Sequence, residues 1–207
     1  MDANQPSTFN HRQIVGLALL LIIYYLPSSL LMAQVIQFND RFKILIIMTV
    51  VMICYMILRR HTLKEMGFRT DTLKGSLISN AGLSAILIAS MYIALAANLI
   101  RRPTVPDWKY FYFFYVFISS PAQEFLFRST IFAELNRAKI MPPFFQVLLS
   151  ALTYCFVHIF YNDPLTLGVT LLMGLLWGTI YYKYPNFWGV AFSHAILGAV
   201  SIQVGLI

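Results

Sequence analysis

Seven apolar runs, each close to the length of a membrane-crossing helix, dominate this sequence of 207 residues. An α-helix rises 1.5 Å per residue, so about 20 apolar residues span the ~30 Å hydrocarbon core of a bilayer. The runs cover residues 14–36, 42–58, 77–100, 110–135, 144–161, 165–182 and 187–206. The sequence therefore predicts an all-α fold, a polytopic membrane helix bundle of about seven transmembrane helices.

The charged residues are too few to coat a water-soluble protein. Only 11% of the chain is charged and 59% is hydrophobic, whereas soluble domains carry about 25% charged residues. The net charge of +7 comes from short cationic clusters between the apolar runs rather than from one basic tract. Such clusters contact anionic lipid head groups, so we expect membrane lipids as partners and no nucleic acid.

Two polar segments divide the chain. A basic stretch at residues 59–74 and a proline-containing linker at residues 101–109 interrupt the apolar pattern. We therefore divide one compact membrane domain into N-terminal transmembrane helices with a basic loop (1–109) and a four-helix core (110–207). With the basic loop in the cytoplasm, nine Lys and Arg residues lie on that side and five on the other. This multi-pass arrangement predicts a cytoplasmic N-terminus and a C-terminus outside.

Ionisable residues inside a membrane helix are costly, so the few present point to function. Glu124 and Arg128 lie in the fourth run, His158 in the fifth and His194 in the seventh. The four-residue spacing puts Glu124 and Arg128 on one helix face, in the favourable order for an ion pair. His61 lies outside the runs and is interpreted as an ordinary surface residue. One carboxylate and two imidazoles can deprotonate water, stabilise an oxyanion or bind a metal.

Two features bear on where these groups lie. Pro121 precedes Glu124 by less than one turn and lacks a backbone N–H, so we expect the helix to bend or loosen there. Counting residues along the helices places His158 and His194 about 15 Å apart along the membrane normal. They can meet only if the sixth helix is short, tilted or broken, or if the fifth continues beyond residue 161.

Three short motifs in the C-terminal half resemble those of a known family. They are, in order, Gln123-Glu124-x-x-x-Arg128, Tyr154-x-x-x-His158 and His194-x-x-x-Gly198. The CPBP intramembrane proteases (CAAX protease and bacteriocin-processing, also called ABI) usually carry E-E-x-x-x-R, F-x-x-x-H and H-x-x-x-N or D. The resemblance covers residue 110 to the C-terminus and implies an intramembrane endopeptidase. Its substrate would be a protein or peptide, lipidated or otherwise tethered to the membrane, cleaved near the membrane surface.

Three positions depart from the family pattern. Gln123 replaces the first glutamate, Tyr154 replaces the phenylalanine, and Gly198 replaces the final amide or carboxylate. In the eukaryotic branch the first glutamate is thought to activate water, and the final asparagine helps the second histidine to hold the oxyanion. The resemblance therefore implies either that Glu124 acts as the base in a divergent branch or that proteolysis has been lost.

In the divergent-branch interpretation, Glu124 is the catalytic base on water, aided by His158, and His194 stabilises the oxyanion. Supporting contacts would come from three neighbours: Gln123, Arg128 and Tyr154. We expect no metal and no other cofactor, although zinc held by Glu124, His158 and His194 stays open as a variant.

Two other classes of protein fit the same residues. A catalytically degenerate homologue, acting as an immunity or scaffold protein, would explain the departures at Gln123 and Gly198. A proton-coupled transporter would also bury Glu, Arg and His side chains, although the sequence contains no recognisable inverted repeat.

Overall fold

The structure, a computed structural model, describes residues 11–100, 108–139 and 141–206. Most of the predicted linker at 101–109 lies outside the described residues. The described chain contains helices and no β-strand: α1 (His11–Met32), α2 (Arg41–Leu58), α3 (Leu73–Ala96), α4 (108–138), α5 (Pro143–Phe156), α6 (Pro164–Lys183) and α7 (Phe187–Val204). All of these except α4 are long and apolar enough to cross a membrane, which makes six candidate spans among the described residues. The predicted all-α, multi-pass membrane fold is confirmed.

Local signals set several helix ends differently from the sequence prediction. The first helix ends at Met32 rather than residue 36, and the fifth ends as an α-helix at Phe156, before a short 3-10 turn. Capping side chains begin the last two helices, because Asp163 accepts a hydrogen bond from the Thr166 N–H and Asn186 accepts one from the Gly189 N–H. These caps satisfy backbone donors that a helix start leaves free.

Helix α4 lies at the centre of the bundle and is interrupted by two π-helical segments. They cover Tyr115–Ser119 and Phe125–Thr130, with α-helical turns before, between and after them. Every residue from 124 to 135 is buried. The predicted loosening is confirmed, because the first π segment comes directly before Ser120 and Pro121, where proline removes an N–H donor from the helix.

Hydroxyl groups from neighbouring helices satisfy backbone carbonyls of the second π segment. The Tyr24 hydroxyl of α1 donates to the Leu126 carbonyl and lies 2.6 Å from Thr130 Oγ1. The Ser150 hydroxyl of α5 donates to the Phe127 carbonyl at 2.7 Å. Helices α1 and α5 therefore fix the stretch of α4 that contains the buried Glu and Arg.

Helices α5 and α6 approach each other closely at two glycines. An ideal Cβ at Gly174 would lie 2.8 Å from the Ala151 Cα, and one at Gly178 would lie 3.2 Å from Val147 Cγ1. Small residues four apart allow this kind of close helix packing in membranes. The close approach places Tyr154 on α5 beside Trp177 on α6, with ring centroids 6.3 Å apart.

A buried ionic cluster joins the basic stretch to the end of α4, and we call it the basic-loop cluster (Arg59, His61 and Glu134). Arg59 binds both carboxylate oxygens of Glu134, at 3.0 and 3.1 Å, and His61 Nε2 lies 2.8 Å from the same carboxylate. The His61 side chain has no exposed surface. The interpretation of His61 as a surface residue is therefore wrong. The sequence does not reveal the burial, because its partner Glu134 lies 73 positions away.

Candidate functional site

Three buried side chains form what we call the core cluster: Glu124 and Arg128 of α4 and His194 of α7. His194 Nδ1 lies 2.6 Å from Glu124 Oε1, and Arg128 Nη1 lies 3.1 Å from the same oxygen. Glu124 and Arg128 have no exposed surface, and His194 is 2% exposed. The ion pair that the four-residue spacing predicted is confirmed, and the structure adds a histidine from another helix to it.

Hydrogen bonding within the core cluster is incomplete. Glu124 Oε2 and all three guanidinium nitrogens of Arg128 lack a hydrogen-bond partner among the described residues, although Arg128 Nη1 forms an ion pair with Glu124 Oε1 at 3.1 Å. Aromatic faces cover the guanidinium instead: its carbon lies 4.6 Å from the Tyr154 ring centroid and 5.4 Å from that of Trp177. Cation–π contacts of this kind stabilise a buried cation without forming hydrogen bonds.

The orientation of the His194 ring is fixed from two sides. The Trp177 ring stacks on it, with centroids 4.5 Å apart and an interplanar angle of 21°. Trp177 Nε1 donates to the Ser193 hydroxyl at 3.0 Å, and that hydroxyl lies 2.9 Å from Ser84 Oγ. Because a carboxylate only accepts hydrogen bonds, the His194 Nδ1–H donates a hydrogen bond to Glu124 Oε1. In the neutral ring this leaves Nε2 as an acceptor.

A cavity of about 240 Å³ lies beside His194. Tyr115 and Tyr154 also line it, and the Tyr154 hydroxyl is 3.4 Å from His194 Nε2. Most of the remaining lining is apolar and comes from α3, α6 and α7: Leu87, Met91, Ala94, Val169, Met173 and Leu197. The cavity is large enough for several water molecules or for an apolar side chain.

His158 and Gln123 line a second, smaller cavity of about 70 Å³, together with Arg41. His158 Nδ1 donates to the Tyr154 carbonyl at 2.7 Å, and Gln123 Nε2 donates to the Ser119 hydroxyl at 3.0 Å. The structure thus brings Glu124, Arg128, Tyr154 and His194 together, and it places His158 and Gln123 at a different cavity.

The two histidines are nevertheless closer than helix counting predicted. The centroids of the His158 and His194 rings lie 4.7 and 5.8 Å from the centroid of the Tyr154 ring. A separation of about 15 Å is therefore wrong. It followed from treating residues 144–161 as one regular helix, whereas α5 ends at Phe156 and His158 lies in the turn after it.

Zinc held by Glu124, His158 and His194 would require these three side chains to converge on one point. No three His, Cys, Asp or Glu side chains among them are arranged to hold a metal ion. Glu124 and His194 face each other directly, and His158 belongs to the other cavity. Three or four converging ligands are what a zinc site needs.

Sequence reasoning missed Tyr115, Trp177 and Ser193. Of these three, only Tyr115 has an indication in the sequence: glycine at position 198, where the family pattern has a larger side chain. An ideal Cβ at Gly198 would lie 1.8 Å from the Tyr115 hydroxyl oxygen, so the tyrosine fills the space that a larger residue would need. Trp177 and Ser193 lie in ordinary apolar runs, and their roles follow only from the packing of α6 against α7.

Together, the six apolar helices and the buried ionic cluster beside a cavity define a multi-pass integral membrane protein with a polar site inside its helix bundle. Residues 105–200 match the family model of the Rce1-like type II CAAX prenyl endopeptidases. The matched residues include all three motifs, and the resemblance to the CPBP/CAAX protease family is confirmed. No curated protein and no solved structure is significantly similar to the chain.

Proposed function

We propose that the chain is an intramembrane endopeptidase in which His194, oriented by Glu124, activates the attacking water. The observation that carries this proposal is the position of the His194 ring. Its Nδ1 lies 2.6 Å from the buried carboxylate, and the same ring lines the 240 Å³ cavity. The family match supports peptide-bond hydrolysis as the reaction.

The proposed roles differ from those expected from the motifs, because Glu124 has no exposed surface and His194 lies at the cavity. His194 Nε2 takes a proton from water as the water oxygen bonds to the scissile carbonyl carbon. Glu124 holds the ring in the correct tautomer and stabilises the imidazolium that forms. His194 then gives the proton to the leaving amine as the C–N bond breaks.

The site favours a substrate segment that is already held at the membrane. Its cavity is lined mainly by apolar side chains from α3, α6 and α7. The matched family is that of the type II CAAX prenyl endopeptidases. We therefore propose a protein or peptide tethered by a lipid group as the substrate, with the cleaved bond near the membrane surface.

Reconstituted protein tests this function most directly. The assay would use liposomes and an internally quenched peptide that ends in a farnesylated CAAX sequence. Glu124→Gln and His194→Ala should each lower turnover by about 10²–10⁴-fold, which is the usual contribution of a positioned acid–base group. Glu65→Gln is the matched control, because this carboxylate lies in the basic loop and is 41% exposed. Wild-type turnover in Glu124→Gln would contradict the proposal.

One observation favours the degenerate homologue as a second candidate. Gln123 occupies the position of the family's first glutamate and shares a cavity with His158, so that cavity has a histidine without a neighbouring catalytic carboxylate. This candidate predicts that the wild-type protein leaves the peptide intact. It also predicts that a cellular phenotype of gene deletion is rescued fully by His194→Ala.

We also propose that the N-terminus is cytoplasmic and the C-terminus lies outside. The positive charge of the basic stretch supports this orientation, as does α4 if its interrupted helix crosses the membrane as a seventh span. Single cysteines at Lys64 and Gln203, in a background without Cys54 and Cys155, should be labelled from opposite sides by an impermeant maleimide. Labelling of both from the same side would overturn the orientation.

A further inference from the structure

The Tyr115 hydroxyl occupies the space beside the core cluster that a side chain at residue 198 would need. Gly198 follows His194 by four residues on α7, so a side chain there would lie on the same helix face as the histidine. An ideal Cβ at Gly198 would lie 1.8 Å from Tyr115 Oη and 2.5 Å from its Cζ. The Tyr115 hydroxyl and a side chain at residue 198 therefore exclude each other.

The first π segment of α4 begins at Tyr115. A π turn rotates the following side chains relative to a regular helix, and such turns are frequent at functional sites. Phe111 stacks on the Tyr115 ring, with centroids 6.0 Å apart and an interplanar angle of 19°. The Tyr115 ring also meets the His194 ring edge-on, with centroids 6.2 Å apart. The tyrosine is thus held in one orientation at the cavity wall.

Most other hydrogen-bond donors of this cavity are already committed. The donors with protein acceptors are Ser90 to the Ile86 carbonyl, Thr170 to the Leu167 carbonyl, Trp177 to Ser193 Oγ and Ser201 to the Gly198 carbonyl. The Tyr154 hydroxyl lies beside His194 Nε2, at 3.4 Å. The Tyr115 hydroxyl is also close enough to the Ser120 side chain to share a hydrogen bond with it. Because the Ser120 hydroxyl can act as the donor in that contact, the Tyr115 hydroxyl can still donate to a bound group on the Gly198 side of the histidine.

We propose that Tyr115 is a further catalytic residue, whose hydroxyl donates a hydrogen bond to the oxyanion of the tetrahedral intermediate. This inference rests on the proposed function. Tyr115 transfers no proton in this step; it stabilises the negative charge that develops on the carbonyl oxygen while His194 holds the proton taken from water. The role of Tyr115 then depends on glycine at residue 198, since the glycine leaves the space that the hydroxyl occupies.

The first test removes only the hydroxyl. In the liposome assay with the farnesylated peptide, Tyr115→Phe should lower kcat by about 10²–10³-fold, as for other oxyanion donors. KM should change little, because the hydrogen bond forms mainly in the transition state. Tyr92→Phe is the matched control, because Tyr92 is exposed on α3 and lies outside the cavity. Its kcat should equal that of the wild type.

A second test asks whether an amide can replace the hydroxyl. Gly198→Asn alone should displace the tyrosine or destabilise the protein, because the two side chains overlap. Tyr115→Ala should lower kcat as Tyr115→Phe does, and Tyr115→Ala combined with Gly198→Asn should recover at least about tenfold of that loss. A merely structural tyrosine predicts otherwise: a lower melting temperature, unchanged kcat per folded molecule and no recovery in the double variant.

The outcomes separate this inference from the function on which it rests. Full kcat in Tyr115→Phe, together with loss of turnover in His194→Ala, overturns the role of Tyr115 and leaves the proposed function standing. Wild-type kcat in His194→Ala, or no cleavage of the peptide by the wild-type protein, overturns both. Loss of kcat in Tyr115→Phe with recovery by asparagine at residue 198 supports both.

Discussion

The protein contains two buried clusters with the same residue types, and they differ in how completely their charges are paired. The core cluster joins Glu124, Arg128 and His194, and the basic-loop cluster joins Arg59, His61 and Glu134. Both glutamates lie on α4, at most 1% exposed. Each glutamate meets one arginine and one histidine. Two glutamates of one helix thus have the same types of charged partner in two different environments.

Hydrogen bonding separates the two clusters. In the basic-loop cluster both oxygens of Glu134 are bound, with Arg59 in the two-pronged geometry that makes strong ion pairs. In the core cluster Glu124 Oε2 and the guanidinium of Arg128 have no such partner within the described residues. A cavity also adjoins the core cluster at His194. In the basic-loop cluster only His61 Nδ1 lacks a hydrogen bond among the described residues, and it lies 3.8 Å from Glu65 Oε2. A carboxylate bound at both oxygens stabilises a fold, whereas one with an unpaired oxygen in a cluster beside a cavity is suited to chemistry.

The periphery of the basic-loop cluster shows the same pattern of pairing. Arg137 Nη2 lies 3.0 Å from both carboxylate oxygens of Glu65. Burial alone would raise the pKa of the Glu65 carboxyl, but the Thr62 backbone N–H and Arg137 outweigh it and hold the pKa below its usual value. Glu65 is therefore ionised at neutral pH, and the paired network extends into the loop.

The largest effect on stability should come from breaking the paired cluster. Arg59→Met leaves the buried Glu134 carboxylate without its main partner, which typically costs about 3–5 kcal/mol. We expect a large fall in unfolding free energy, measured in detergent by denaturant titration, with kcat per folded molecule retained. The neighbouring Arg60 is exposed, so Arg60→Met is the control and should leave stability nearly unchanged.

The opposite result for Arg59→Met would contradict the distinction between a structural and a functional cluster. If Arg59→Met keeps its stability but loses turnover, the basic-loop cluster takes part in catalysis and is not only structural. In that case the completeness of hydrogen bonding does not distinguish a structural cluster from a functional one in this protein.

A smaller effect is expected where α5 and α6 hold the aromatic rings over Arg128. In Gly174→Ala the new Cβ would lie 2.8 Å from the Ala151 backbone, so the two helices must separate. Such overpacking costs about 1–3 kcal/mol, and it should also lower turnover because Tyr154 and Trp177 move apart. Gly168→Ala on the same helix meets nothing within 4 Å and serves as control. Equal melting temperatures and equal turnover in the two variants would show that the close approach does not support the core cluster.

Apolar run lengths predicted the fold, and residue spacing predicted one contact of the site. The Glu124–Arg128 pair follows from a four-residue spacing on one helix, so it needs no knowledge of tertiary structure. The partners His194 and His61 could not be assigned in this way. Each meets its glutamate across about 70 residues, and the pairing depends on which helix faces pack together.

The separation of the two cavities could not be predicted either. Motif order suggested that Glu124, His158 and His194 act as one group, because each motif contributes one of these candidate catalytic residues. Adjacent residues of a helix point in different directions, about 100° apart at 3.6 residues per turn. Gln123 and Glu124 therefore serve different neighbours, and the turn after Phe156 carries His158 toward the cavity of Gln123.

The smallest effect should come from a carboxylate placed in the second cavity. Gln123→Glu restores the family's first glutamate beside His158, and the Arg41 side chain in the same cavity compensates the new charge. If the core cluster is the active site, this change should leave kcat for the farnesylated peptide unaltered, as should Gln203→Glu on the exposed face of α7. A higher kcat in Gln123→Glu that disappears when His158→Ala is added would contradict the assignment. The reaction would then take place in the cavity of His158, and Glu124, like Glu134, would serve to hold the helices together.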